Sequence, residues 1–159
     1  MSQQNVNTTA PESKESSGEN PVSAQRVPAS QRVTFFEDFF GPLAPKAPQL
    51  LTHWMQSHCQ DYPGGYWEYF CTSNGTCFAV PGFEGKKHFQ ILSRNFSAEM
   101  SAEAAGVSAM LTVLKCLAWQ AWSENGNDPL IGRLNQLESA LWEYVMTLEE
   151  CSTVCMAAD

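Results

Sequence analysis

Residues 61–82 constrain the fold of this chain more than any other stretch. Two aromatic-rich runs, 66–72 and 76–80, flank Asn74-Gly75, and the ends are closed by Pro63-Gly64-Gly65 and Pro81-Gly82. Asn-Gly accepts positive φ at both central positions of a type I′ turn, whose twist matches that of paired strands. A β-hairpin at 66–80 is therefore expected. A two-residue loop would pair Cys71 with Phe78 and Thr72 with Cys77, placing the two cysteines on opposite faces. Only a three-residue loop would set them face to face.

The rest of the chain reads as helical, with one more strand. Phe35, Phe36, Phe39 and Phe40 are core material in a segment ending at Gly41-Pro42. Pro48 at a first helical position, followed by Leu50, Leu51, Trp54, Met55 and His58, gives an amphipathic helix ending near Cys59. Residues 87–93 carry enough β-formers to be a third strand beside the hairpin, which needs an added apolar face to be stable. From 97 to 122 a long helix is predicted, with Val107, Met110, Leu111, Leu114, Leu117, Ala118, Ala121 and Trp122 on one face. Lys115 near its middle would cost about 2.5–3.5 kcal/mol in a bilayer, so a buried core helix is preferred to a membrane span. Asp128-Pro129 caps a further helix whose Leu130, Leu134, Leu137, Leu141, Tyr144 and Leu148 form a seam against the preceding helix rather than a homodimer. The prediction is an α+β domain over 31–159: a small antiparallel sheet of about three strands, about four helices, and a monomer.

Residues 1–30 hold no aromatic side chain and are rich in Ser, Gln, Asn, Glu and Pro, which predicts a disordered tail. They show neither the charged start nor the apolar stretch of a secretory signal, so a cytoplasmic protein with free thiols at Cys59, Cys71, Cys77, Cys116, Cys151 and Cys155 is expected. The net charge is −8, and residues 95–159 hold nine acidic side chains against Lys115 and Arg133. That balance disfavours duplex DNA, which is bound through Lys and Arg that release counterions, and suits a basic partner or simple solubility. Imitation of DNA fares no better. Over the ~39 Å of the long helix a duplex would present roughly 23 phosphates, against Glu99 and Glu103 here.

Candidate chemistry is sparse. His53, His58 and Cys59 share a helix, but His58 and Cys59 point about 100° apart around it, which does not build a Cys-His pair. Cys59, Cys71, Cys77 and His88, or Cys151 with Cys155, lack zinc-motif spacing, so no metal is assigned. Glu99 and Glu103, at helical i, i+4 spacing, are explained by a helix start as well as by acid–base work. Lys86, Lys87, His88 and Arg94 make a patch too small for single-stranded nucleic acid.

Two blocks carry a family resemblance. Gly64-Gly65-Tyr66-Trp67, Ser73-Asn74-Gly75 and Pro81 form the first; Met100-Ser101 and Ala104-Ala105-Gly106 form the second, downstream. Together they resemble the signature of the plasmid-borne ArdB/KlcA antirestriction family, over about 32–148. The resemblance implies a non-enzymatic, cofactor-free protein that helps incoming plasmid or other mobile DNA escape type I restriction-modification in a bacterial host. The tail and the cysteines inside the signature depart from it. On this reading the protein meets a protein partner, possibly the type I restriction-modification complex itself, and the acidic half supplies Glu99, Glu103, Glu143, Glu149, Glu150 and Asp159 as contact candidates. The alternative is an adaptor or regulatory protein of a mobile element, acting on another defence or recombination complex.

Overall fold

Ser101 sets where the longest helix begins. Its side chain accepts a hydrogen bond from the Ala104 amide, and the chain runs helical from there as α3, Ala102–Glu124. The computed structural model describes residues 20–82 and 88–159. Among them lie β1 (Ala24–Arg26), α1 (Phe35–Phe40), α2 (Lys46–His58), β2 (Trp67–Thr72), β3 (Cys77–Pro81), β4 (His88–Ser93), β5 (Phe96–Ser101), α4 (Pro129–Val145) and α5 (Cys151–Ala157). The result is α+β, with five α-helices and two antiparallel sheets, ordered β1-β2-β3 and β4-β5.

The core forms around α3, which packs against α2, α4, α5 and β3. Val107, Met110, Leu111, Leu114 and Leu117 are fully buried, so a helix long and apolar enough to cross a membrane serves here as the core. The seam of α4 lies against it through Leu134, Leu137 and Leu141, started by Asp128, whose side chain accepts from the Leu130 amide at 2.9 Å. On the other side of the hairpin α1 supplies rings: Phe35 stacks on Tyr69 at 5.1 Å, and Phe36 meets the same ring at 4.7 Å. At the C-terminal end of α3, Trp119 and Trp122 are 69% and 61% exposed.

Four sequence expectations need correction. The hairpin forms, but Cys71 faces Cys77 and Phe70 faces Phe78, the register of a three-residue loop, Ser73-Asn74-Gly75. Side chains choose the longer loop. The Thr72 hydroxyl accepts from the Thr76 amide at 3.0 Å and donates to the Asn74 side-chain oxygen Oδ1 at 2.6 Å, while Gly75 takes up the positive φ of 89°. Second, the strand expected beside the hairpin pairs instead with β5, in register His88 to Ser101 and Ser93 to Phe96; its first expected residue, Lys87, lies outside the described residues. Third, α3 starts at 102 rather than 97, which places Glu99 on a strand and dissolves the helical pairing of Glu99 with Glu103. Finally, part of the expected tail is ordered: Ala24–Arg26 adds to the hairpin edge opposite Phe70–Thr72, and Val27 is buried. Residues 1–19 lie outside the described residues.

Candidate functional site

The two sequence blocks singled out above meet at one end of α3 and are tied to α4. At the hairpin tip the Asn74 side-chain Nδ2 donates to the Ala140 carbonyl at 2.8 Å and to Glu143 Oε2 at 3.0 Å, and Thr76 Oγ1 donates to the Leu137 carbonyl at 2.8 Å. At the start of α3 the Ser101 cap needs a carboxylate for its own amide. A capping box would take it from the third helical residue, which here is Ala104. Glu150, between α4 and α5, supplies it instead, its Oε2 accepting from the Ser101 amide at 2.9 Å.

Gly106 accounts for the close approach of the blocks. A Cβ there would lie 2.0 Å from the Ala79 carbonyl oxygen and 3.0 Å from Val80 Cα, so α3 crosses β3 backbone to backbone. Ala104 and Ala105, the residues just before Gly106, are buried as well. Gly64 and Gly65 carry φ of 83° and 132° at the entry to β2, Trp67 is buried, and the Tyr66 ring lies over Gly82.

Of the six acidic candidates, Glu103, Glu143 and Glu150 are drawn into internal bonds. Glu103 Oε1 accepts from the Tyr144 hydroxyl at one side of a cleft of about 300 Å³ that Ala24, Phe70, Phe78 and Val80 complete. The cleft wall is a stack of rings, Phe70 on Phe78 and Phe78 on Tyr144, both at 5.2 Å. Burial, then the hydrogen bond that Tyr144 donates to Glu103 and the charge of that carboxylate, hold the Tyr144 phenol above its ordinary range. Glu99 and Glu149 are exposed, and neither side chain makes a hydrogen bond or ion pair among the described residues. Asp159 is exposed too, in a cleft with Ser93, Arg94, Asn95 and Phe96. That cleft sits at the far end of the β4-β5 ladder, ~17 Å of strand from Ser101. Thus Glu99, Glu103, Glu143, Glu149 and Glu150 gather around the start of α3, and Asp159 stands off. The part of Tyr144 was not legible in advance, because it sits on the α4 seam as one more apolar position.

The other chemical candidates disperse. His58 donates from Nδ1 to the Trp54 carbonyl at 2.7 Å and stacks on the Trp54 ring at 4.3 Å. With His53 it lines an apolar cleft between α2 and α3 that includes Cys116, and no hydrogen bond joins either imidazole to that thiol. Among the described residues no three His, Cys, Asp or Glu converge as metal ligands. Of the small basic patch, Lys86 and Lys87 lie outside the described residues.

The arrangement has relatives. The family model described as antirestriction protein matches residues 60–159, which takes in both blocks and the acidic helices. The chain belongs to the antirestriction protein family. Within that family it is 32% identical over 120 residues to an antirestriction protein KlcA of Escherichia coli, covering 75% of this chain and 84% of the relative. It is 35% identical over 98 residues to the uncharacterized protein YfjX of E. coli K12. A solved structure superposes with a TM-score of 0.74 at 30% identity, covering 89% of this chain and 97% of the other. It comes from work on KlcA and ArdB that describes a novel fold and antirestriction activity against type I DNA restriction systems in vivo but not in vitro. The antirestriction fold of this chain is therefore of the ArdB/KlcA type.

Proposed function

We propose that this antirestriction protein relieves type I restriction of incoming mobile DNA by touching a protein partner, as a monomer in the bacterial cytoplasm and without catalysis. The observation that carries this reading is the acidic rim at the start of α3. Among the described residues only two ion pairs form, Arg26 with Glu68 and Lys115 with Glu138, and neither involves Glu99, Glu103, Glu143, Glu149, Glu150 or Asp159. A surface of uncompensated carboxylates is complementary to a basic protein face and speeds encounter with it. The same charge repels duplex DNA. Activity seen for the related structure in vivo but not in vitro supports a mode of action that needs a cellular component, such as the restriction complex in its working state.

The family signature supports the reading from the other side. Its residues are occupied in caps, turns and a close backbone crossing, which leaves the surface rather than a pocket to act. Glu99 and Glu149 give the cleanest test, since changing them breaks no internal bond. The double variant Glu99→Lys/Glu149→Lys should keep the thermal midpoint of the parent and lose protection, measured by plating unmodified phage on restricting and non-restricting hosts. Full protection by the double variant would reduce the rim to solvated surface. Equal plating on both hosts with and without the parent protein would favour the adaptor reading.

A further inference from the structure

The three-residue loop brings Cys71 directly opposite Cys77, both free thiols. Main-chain bonding at the loop fixes which kind of pair this is. The Thr72 amide donates to the Thr76 carbonyl at 3.0 Å, so bonded pairs fall at Thr72 with Thr76 and, by alternation, at Phe70 with Phe78. Cys71 and Cys77 therefore occupy a non-bonded pair, where Cα atoms approach to about 4.5 Å and side chains are closest. A disulfide spans Cα separations of about 4.4–6.8 Å, so the bridge closes with little backbone movement. Cys151 and Cys155, one helical turn apart, have Cβ atoms about 5–6 Å apart, beyond the roughly 3.5–4.5 Å a disulfide spans.

Access is one-sided. Cys77 is fully buried, whereas Cys71 is half-buried and lines an open cleft of about 300 Å³ with Gln25, Arg26, Val27, Pro28 and Gln31. Gln25, Gln31 and Arg26, the last paired with Glu68 at 3.0 Å, give that cleft a polar wall open to a small disulfide.

We propose that Cys71 and Cys77 are a thiol–disulfide exchange site that closes to a reversible cross-strand disulfide on meeting oxidised glutathione or a disulfide of its kind. The Cys71 thiolate attacks one glutathione sulfur, forming a mixed disulfide and releasing one glutathione thiolate. The released glutathione thiolate takes the Cys77 proton, and Cys77 then attacks the Cys71 sulfur and releases the second glutathione as a thiolate. Two protein thiols are oxidised while one glutathione disulfide is reduced to two thiols. Burial raises the thiol pKa of both cysteines, most of all Cys77, so closure speeds up as pH rises. The bridge clamps the base of the loop whose Asn74 holds α4.

The test is incubation of the reduced full-length protein with oxidised glutathione, an acid quench and peptide mapping. The peptide holding both cysteines should become two hydrogens lighter and return to its starting mass on reduction. In Cys77→Ala the same peptide should instead keep one glutathione. Stable glutathione on Cys71 of the parent protein beside a free Cys77 thiol would overturn the proposal, as would an unchanged peptide. Both outcomes are read on the parent chain, so they hold even if Cys77→Ala fails to fold.

Discussion

Gly106 is where one hydrogen atom decides the packing of two elements. Because the obstacle to a Cβ is the Ala79 carbonyl, a backbone atom, no rotamer change relieves it. Gly106→Ala is expected to destabilise the protein by about 3 kcal/mol or more, read as a fall in the urea midpoint. Asn74 works by hydrogen bonding instead. Asn74→Ala removes donors to the Ala140 carbonyl and to Glu143, and should cost about 1–2 kcal/mol in the same measurement while the far-ultraviolet spectrum stays unchanged. Both residues stood out in the sequence as signature positions. What each does was not legible there, because the Ala79 carbonyl and the Ala140 carbonyl are brought to them only by the fold.

The elements differ in how openly the sequence announced them. α4 was plain, since Asp128-Pro129 is a local start signal and the leucine seam needs no distant information. β5 was hidden. Ala98, Glu99 and Met100 favour a helix on intrinsic propensity, and their pairing with β4 overrides it. β1 was hidden for another reason: Ala-Gln-Arg has no apolar pattern and is held as an edge strand by main-chain bonds to β2. The hairpin was legible but its loop length was not, because Thr72 and Thr76 select it through side-chain bonds.

Where the hairpin meets α4, buried thiol and phenol groups set an alkaline limit. Cys77 is raised well above 9.0 by burial, with Cys71 adding to the shift and Arg133 opposing it, and Tyr144 is raised above 10.0. In both, the unfolded chain releases its proton first, so stability is complete below the ordinary pKa and declines as pH rises past it. The thermal midpoint should fall from about pH 9 upward, the thiol contributing first and the phenol above about pH 10. Tyr144→Phe should flatten the upper part of that decline.

The molecule as a unit is an apolar pillar wrapped by small sheets and helices, with five carboxylates, Glu99, Glu103, Glu143, Glu149 and Glu150, grouped at one end of the pillar. The charge asymmetry could be counted from the sequence. Its grouping around the start of α3 could not, since Glu150 reaches Ser101 across 49 positions of chain and Glu103 reaches Tyr144 across 41.

The other end of the pillar has a practical use. Trp119 and Trp122 face water there, while Trp54 and Trp67 are 4% and 9% exposed. Emission should therefore divide into a red-shifted fraction that acrylamide quenches readily and a blue-shifted fraction that it does not, giving a downward-curving Stern–Volmer plot. Replacing Trp119 and Trp122 with Phe should remove most of the first fraction, leaving the partly buried Trp142 between the two classes. Any macromolecule that settles over this end would shield those two indoles, so the protein brings a built-in fluorescent dye for detecting its own company.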